Sequence, residues 1–237
     1  MAPYAYSEYT DFNRFLNLDS IEAKVIEHLI HSTSNYANTI WQLLAYPGKD
    51  ALWRPVPTVA ERTALVEGSA TAVEGGDLRD KRVLFKPFSD DAVKEECSVL
   101  CIYISGVQPL DAMQGVVTLV VELATHNHAN VVTGNADFIA HPETTNPNDY
   151  YYNNDETPTV QYKSRESLLL KNILAELNGL LIDGVGYLQF HPQQTRMGQI
   201  VGAAAALTVY DGRSFFGHRI QFNVPIAGVS GNTDLGW

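Results

Sequence analysis

The chain has 237 residues, 45% of them hydrophobic and 18% charged, which excludes wholesale disorder and is ample for a core. Sixteen Lys and Arg face 27 Asp and Glu, for a formal charge of −11, and that balance argues against a sequence-reading nucleic-acid binder. No stretch approaches the roughly 18–20 apolar residues of a membrane span, and two cysteines suit synthesis in a reducing compartment better than a disulfide-stapled fold.

Residues 1–18 are polar and aromatic without periodicity and read as an extended N-terminal arm, with no basic-then-apolar leader pattern. A helical segment is expected over 19–67. Asp19 and Glu22 stand in capping-box spacing before Ile21, Val25, Ile26, Leu29 and Ile30, which recur at helical intervals. The run from His31 to Asn35 breaks this helix. Ile40, Trp41, Leu43 and Leu44 mark a second helix that Tyr46-Pro47-Gly48 stops. Thr58 and Glu61 form another capping box and open a short helix through Leu65, with Gly68 as its stop. Residues 68–80, small and acidic, read as a linker to an α+β domain over 81–237.

Strand signals begin at Lys81. Residues 82–88, 98–105 and 116–125 are β-rich, and 116–125 is nearly all apolar, as in a strand buried on both faces. The 106–111 stretch has turn chemistry, so its two flanking strands are expected to be antiparallel neighbours. Residues 133–162 form a long polar loop carrying Tyr150, Tyr151 and Tyr152; loops of this length are usually functional. Ser164 caps a helix whose Leu169, Leu170, Ile173, Leu174 and Leu177 share one side, and Asn178-Gly179 ends it. A strand over 185–190 and a final hairpin, 203–210 with 216–224, follow. In the hairpin, His218, Ile220, Phe222 and Val224 alternate with Arg219, Gln221 and Asn223. The expected fold class is α+β: a mostly antiparallel sheet with helices packed on one side.

Few residues suggest chemistry. His126 and His128, on one strand, would point the same way and could ligate a metal, but no third ligand is evident beside them. The bland alternative is a pair of hydrogen-bonded or exposed histidines at a strand end. Cys97 and Cys101, four apart on a strand, would lie roughly 13 Å from each other, too far to bond, and read as buried thiols. Gly184-Val185-Gly186 precedes a strand, so a dinucleotide turn fails on context, and Asp90-Asp91 and Asp155-Glu156 read as solvated loop charge. Trp41 and Trp53 flank a turn and serve either packing or anchorage to a partner. The three consecutive tyrosines cannot all face one small core; interface and loop packing both remain open for them.

Several separated pieces carry a resemblance. Residues 40–46, Asp50-Ala51-Leu52, Pro55, Pro57-Thr58 and Glu61-Arg62 look like the start of structural neck proteins of tailed bacteriophages. Residues 121–127, Arg165, Leu168-Leu169, Leu177-Asn178-Gly179 and 184–188 are similar to a pattern in such head-completion and tail-terminator-like proteins. None of these motifs is catalytic. The resemblance implies an α+β virion protein, made in the host cytoplasm, that forms a ring of identical subunits at the head–tail junction, with neither catalysis nor a cofactor. Its partners would be copies of itself, neighbouring neck and tail proteins, and genome DNA passing through without sequence-specific binding, with no membrane. Trp41, Trp53, Tyr150, Tyr151, Tyr152 and Arg165 are then the expected subunit-interface residues. An acidic channel wall would repel DNA phosphates. The competing expectations are a small metal-dependent enzyme or ligand-binding domain using His126 and His128, and another tail or baseplate component.

Overall fold

The computed structural model describes residues 18–69, 81–89, 96–109, 114–134, 161–182, 186–190, 207–211 and 214–227. The 1–17 arm, most of the linker and residues 135–160, with the three tyrosines, lie outside the described residues. The described chain is α+β, as the sequence predicts.

Helix α1 (Leu18–His31) and helix α2 (Asn35–Ala45) are separated by the expected break. Ser34 makes the break a start as well, its hydroxyl accepting from Ala37 N at 3.0 Å as the N-cap of α2. A 3-10 turn (Ala51–Trp53) leads to α3 (Val59–Ala64), where the Thr58–Glu61 capping box forms as predicted. Gly68 takes a φ of 78°, which only glycine adopts at little cost, and ends this region.

The sheet has the order β1-β2-β3-β9-β8. Its strands are β1 (Val83–Leu84), β2 (Ser98–Pro109), β3 (Gln114–His126), β8 (Leu207–Asp211) and β9 (Phe215–Ala227). Among the described strands of this sheet, β1 runs parallel to β2 and the other pairs are antiparallel. Outside this sheet lie two short ladders: β4 (Val131–Gly134) with β5 (Gln161–Ser164), and β6 (Leu181–Ile182) with β7 (Gly186–Tyr187). Helix α4 (Arg165–Leu177) follows β5 directly, capped by Ser164.

Two sequence expectations change here. The 106–111 stretch does not turn at Gly106. The strand continues to Pro109 through a register shift between Ile104 and Gly106, and a glycine inside a strand commonly marks such a bulge. Glu22 is not a cap either. It lies inside α1, and its carboxylate accepts from Ile104 N at 2.7 Å, so the helix satisfies a backbone donor on the outer edge of β2.

Alternation along β3 and β9 sorts the sheet into two faces. One face, with Leu100, Ile102, Leu119, Val121, Leu123, Ile220, Phe222 and Val224, packs under the helices. The helices supply Val25, Leu29, Ile40, Leu44, Leu169, Ile173 and Leu177 to the same cluster, so the helical segment and the sheet share one core. Leu170 and Leu174, expected on that helix face, are only half-buried. The second face carries a smaller cluster of Leu84, Cys97, Val99, Cys101, Ala124 and Phe215. Glu122 is buried on this face beside Cys101. Its carboxylate accepts from Phe88 N at 3.2 Å, Tyr103 Oη at 3.3 Å and Arg219 Nη2 at 3.3 Å, which compensates a charge taken out of water.

Candidate functional site

Two arginines hold the helical layer. Arg62 donates to Ile30 O (3.0 Å) and Ser32 O (2.8 Å) at the end of α1, to Pro57 O (2.9 Å), and to Asn38 Oδ1 (2.7 Å). Arg165 is fully buried, and its guanidinium makes five bonds, all to carbonyls: Ala129 (2.6 Å), Leu43 (2.6 Å), Tyr46 (2.7 Å), Pro47 (2.9 Å) and Gly48 (2.6 Å). Carbonyls at a helix C-terminus lack intrahelical partners and carry partial negative charge, so each cation suits its place. Burial lowers the Arg165 pKa to about 10, with the charge of Asp50 opposing the shift.

Arg165 is therefore not an interface residue: every donor is used inside the subunit. Trp41 is corrected in the same way. It is wholly buried, and its indole Nε1 donates to Leu29 O at 2.7 Å across the α1–α2 break. Ala37, Trp41 and Leu44, at i, i+4 and i+7, already placed it on the buried side of α2. Trp53 is half-buried in the 51–53 turn, beside β4. Tyr150, Tyr151 and Tyr152 lie outside the described residues.

The acidic partner at the α1–α2 break is Glu176 of α4. Its carboxylate takes Ser32 Oγ at 2.7 Å, His28 Nε2 at 2.9 Å and the Ser34 hydroxyl. Glu166, at the start of α4, pairs with His218 of β9. Cys97 and Cys101 are buried and not joined in a disulfide, as expected. Burial, and next the nearby Glu122 charge, push the Cys101 thiol pKa well up, which keeps it protonated and inert.

One group of metal-ligating side chains converges among the described residues: Glu96, His126 and His128, each with a ligand atom within 4.8 Å of the others. The expectation that both histidines ride one strand is corrected. β3 ends at His126, and a 3-10 turn (Asn127–Ala129) swings His128 back beside it, with the rings 5.1 Å apart edge to face. His126 Nδ1 accepts from His128 N at 3.3 Å. Its ring also lies edge-on to Phe215, its cross-strand neighbour, at 5.1 Å.

Glu96 is the third residue that the sequence did not offer. The His126 N–H bonds Cys97 O at 2.9 Å, which brings the residue before Cys97 beside the histidine turn. There His128 Nδ1 lies 2.7 Å from Glu96 Oε1. That hydrogen bond, aided by the charges of both imidazoles, holds the Glu96 carboxyl below its ordinary pKa. The signal that could have found it is register: Ser98 opposite Thr125 puts residue 96 level with the start of the turn.

The chain matches no protein-family model, no curated protein and no solved structure. Among the described residues no helix is long and apolar enough to cross a membrane.

Proposed function

We propose that the chain is a structural virion protein of the tailed-phage neck, a tail terminator or head–tail connector that acts as a ring of identical subunits around the DNA channel. Its work is contact with copies of itself and with adjoining neck and tail proteins, not catalysis. The observation that carries this reading is the side of the subunit built by the 51–53 turn and the β4–β5 ladder. Thr133 N bonds Lys49 O at 2.8 Å, which fixes β4 against the turn that presents Trp53. Exposed Val131 lies on β4, and exposed Val56 lies just past the turn. Gly134 and Gln161 are partners in that ladder, and the sequence that joins them, 135–160, is polar and carries three tyrosines. Aromatic and apolar groups gathered with a long polar segment suit an assembly contact, and heterologous contacts that close produce a ring.

Removing residues 141–158 tests the reading. The truncated chain is expected to melt cooperatively, like the parent, and to lose self-association and incorporation into particles, read by sedimentation and by electron microscopy of the particle. Collapse of the fold, or undiminished assembly, overturns it. A lumen lined mainly by Lys and Arg would overturn the accompanying idea that the −11 charge keeps the genome from adhering.

A metal-dependent enzyme or ligand-binding domain is the second reading, favoured by the convergence of Glu96, His126 and His128. The side chains of His128 and Glu96 are 70% and 62% exposed, however, and water-filled surroundings weaken the electrostatic stabilisation on which catalysis draws. Turnover of a small compound that disappears with these side chains would establish it.

A further inference from the structure

We propose that Glu96, His126 and His128 form a surface site for a divalent transition-metal ion of the zinc class, which fastens the residue leading into β2 to the turn that ends β3. Three observations on separate levels carry it.

The donor set is the first. Two borderline imidazoles with one hard carboxylate make a mixed set that suits Zn²⁺, Ni²⁺, Co²⁺ or Cu²⁺; an oxygen-only set would instead suit Mg²⁺ or Ca²⁺. Spacing is the second. Bonds of about 2.0–2.2 Å in a tetrahedral site put ligand atoms roughly 3.3–3.6 Å from one another. The three atoms here already lie within 4.8 Å, and His128 and Glu96 are at 2.7 Å. Small side-chain rotations close one gap and open the other, and both exposed side chains are free to make them. The ion takes the place of the His128–Glu96 hydrogen bond.

Preorganisation is the third. The backbone beneath the ligands is tied by His126 N to Cys97 O at 2.9 Å and by Asn127 N to Ser214 O at 2.9 Å. Cys97 is buried, and Phe215, also buried, orients the His126 ring. Binding therefore orders little beyond the Glu96 and His128 side chains, which limits its entropic cost. His28 and His218 also meet carboxylates of α4, Glu176 and Glu166 respectively, but among the described residues no third metal-ligand side chain joins either pair. With three protein ligands and open exposure, water completes the coordination, and the ion exchanges with solvent.

The test is calorimetric titration of Zn²⁺ into the full chain after chelator treatment, with the Co²⁺ absorption spectrum as a second readout. About one ion per chain is expected, with a tetrahedral Co²⁺ band. Binding should weaken at least about tenfold in each of His126→Ala, His128→Ala and Glu96→Gln. His31→Ala, on exposed helix surface, is the control expected to leave binding unchanged. Circular dichroism establishes that each variant is folded, and exposed Glu96 and His128 supply two variants that the fold tolerates. The proposal is overturned if Zn²⁺ does not saturate the wild-type chain, or if folded His128→Ala and Glu96→Gln bind it as tightly as the parent. The metal alone is the probe, so the result stands apart from ring formation.

Discussion

Arg165 Nη1 donates to the carbonyl of Leu43 at 2.6 Å, joining the start of α4 to the end of α2 across 122 residues of sequence. The contact is one of five from the same planar group, and no carboxylate is among the acceptors. A cation that touches no carboxylate is accommodated at this depth because every N–H has a carbonyl oxygen to meet.

Arg165→Lys is expected to destabilise the fold by about 3–5 kcal/mol, although it keeps the charge. An ammonium has three donors on a compact head and cannot span the carbonyls of Leu43, Gly48 and Ala129 at once. Urea unfolding checks this. A loss below about 1 kcal/mol would mean the carbonyls find water instead.

Gly217 is required where β3 and β9 touch. A Cβ there would strike the carbonyl of Leu123, backbone that cannot swing aside. Gly217→Ala is expected to cost about 1–3 kcal/mol or more by forcing the two central strands apart. Hydrogen exchange at the amides of Leu123 and Ala124 would rise with it. Unchanged protection and melting would contradict the close approach.

Tyr103 links the second face of the sheet to alkaline pH. Burial, and next the Glu122 charge, push its phenol up to about 12. In the unfolded chain the proton leaves near 10. Between those values the folded state holds more protons than the unfolded one, so stability falls as pH rises through the window. Tyr103→Phe should lose this component. The difference in urea midpoint between wild type and variant should therefore change from pH 9 to pH 11.5, favouring the variant at the higher value. A difference constant with pH would refute the assignment.

Local signals in the sequence decide several elements. The Thr58–Glu61 box, the Ser164 cap, the Leu169–Ile173–Leu177 stripe and the alternation along β9 are each decided within a few residues, and each stands in the structure. Contacts set by tertiary geometry were not legible. Arg165 finds its acceptors at residues 43–48 and 129, and no spacing rule marks that meeting. Glu22 looked like a cap because a capping box and a carboxylate reaching a neighbouring strand use the same residue type. Of the Glu96–His126–His128 trio, the two histidines are neighbours in sequence. Glu96 is not, and only the β2–β3 pairing carries it to them.

The ladder that pairs Gly134 with Gln161 also offers an engineering handle. Once a hairpin's feet are clamped, lengthening what lies between them costs little, about 0.6 kcal/mol per doubling of loop length. An epitope or a small fluorescent module spliced between its feet would leave the sheet's pairing untouched and label the molecule from a known anchorage.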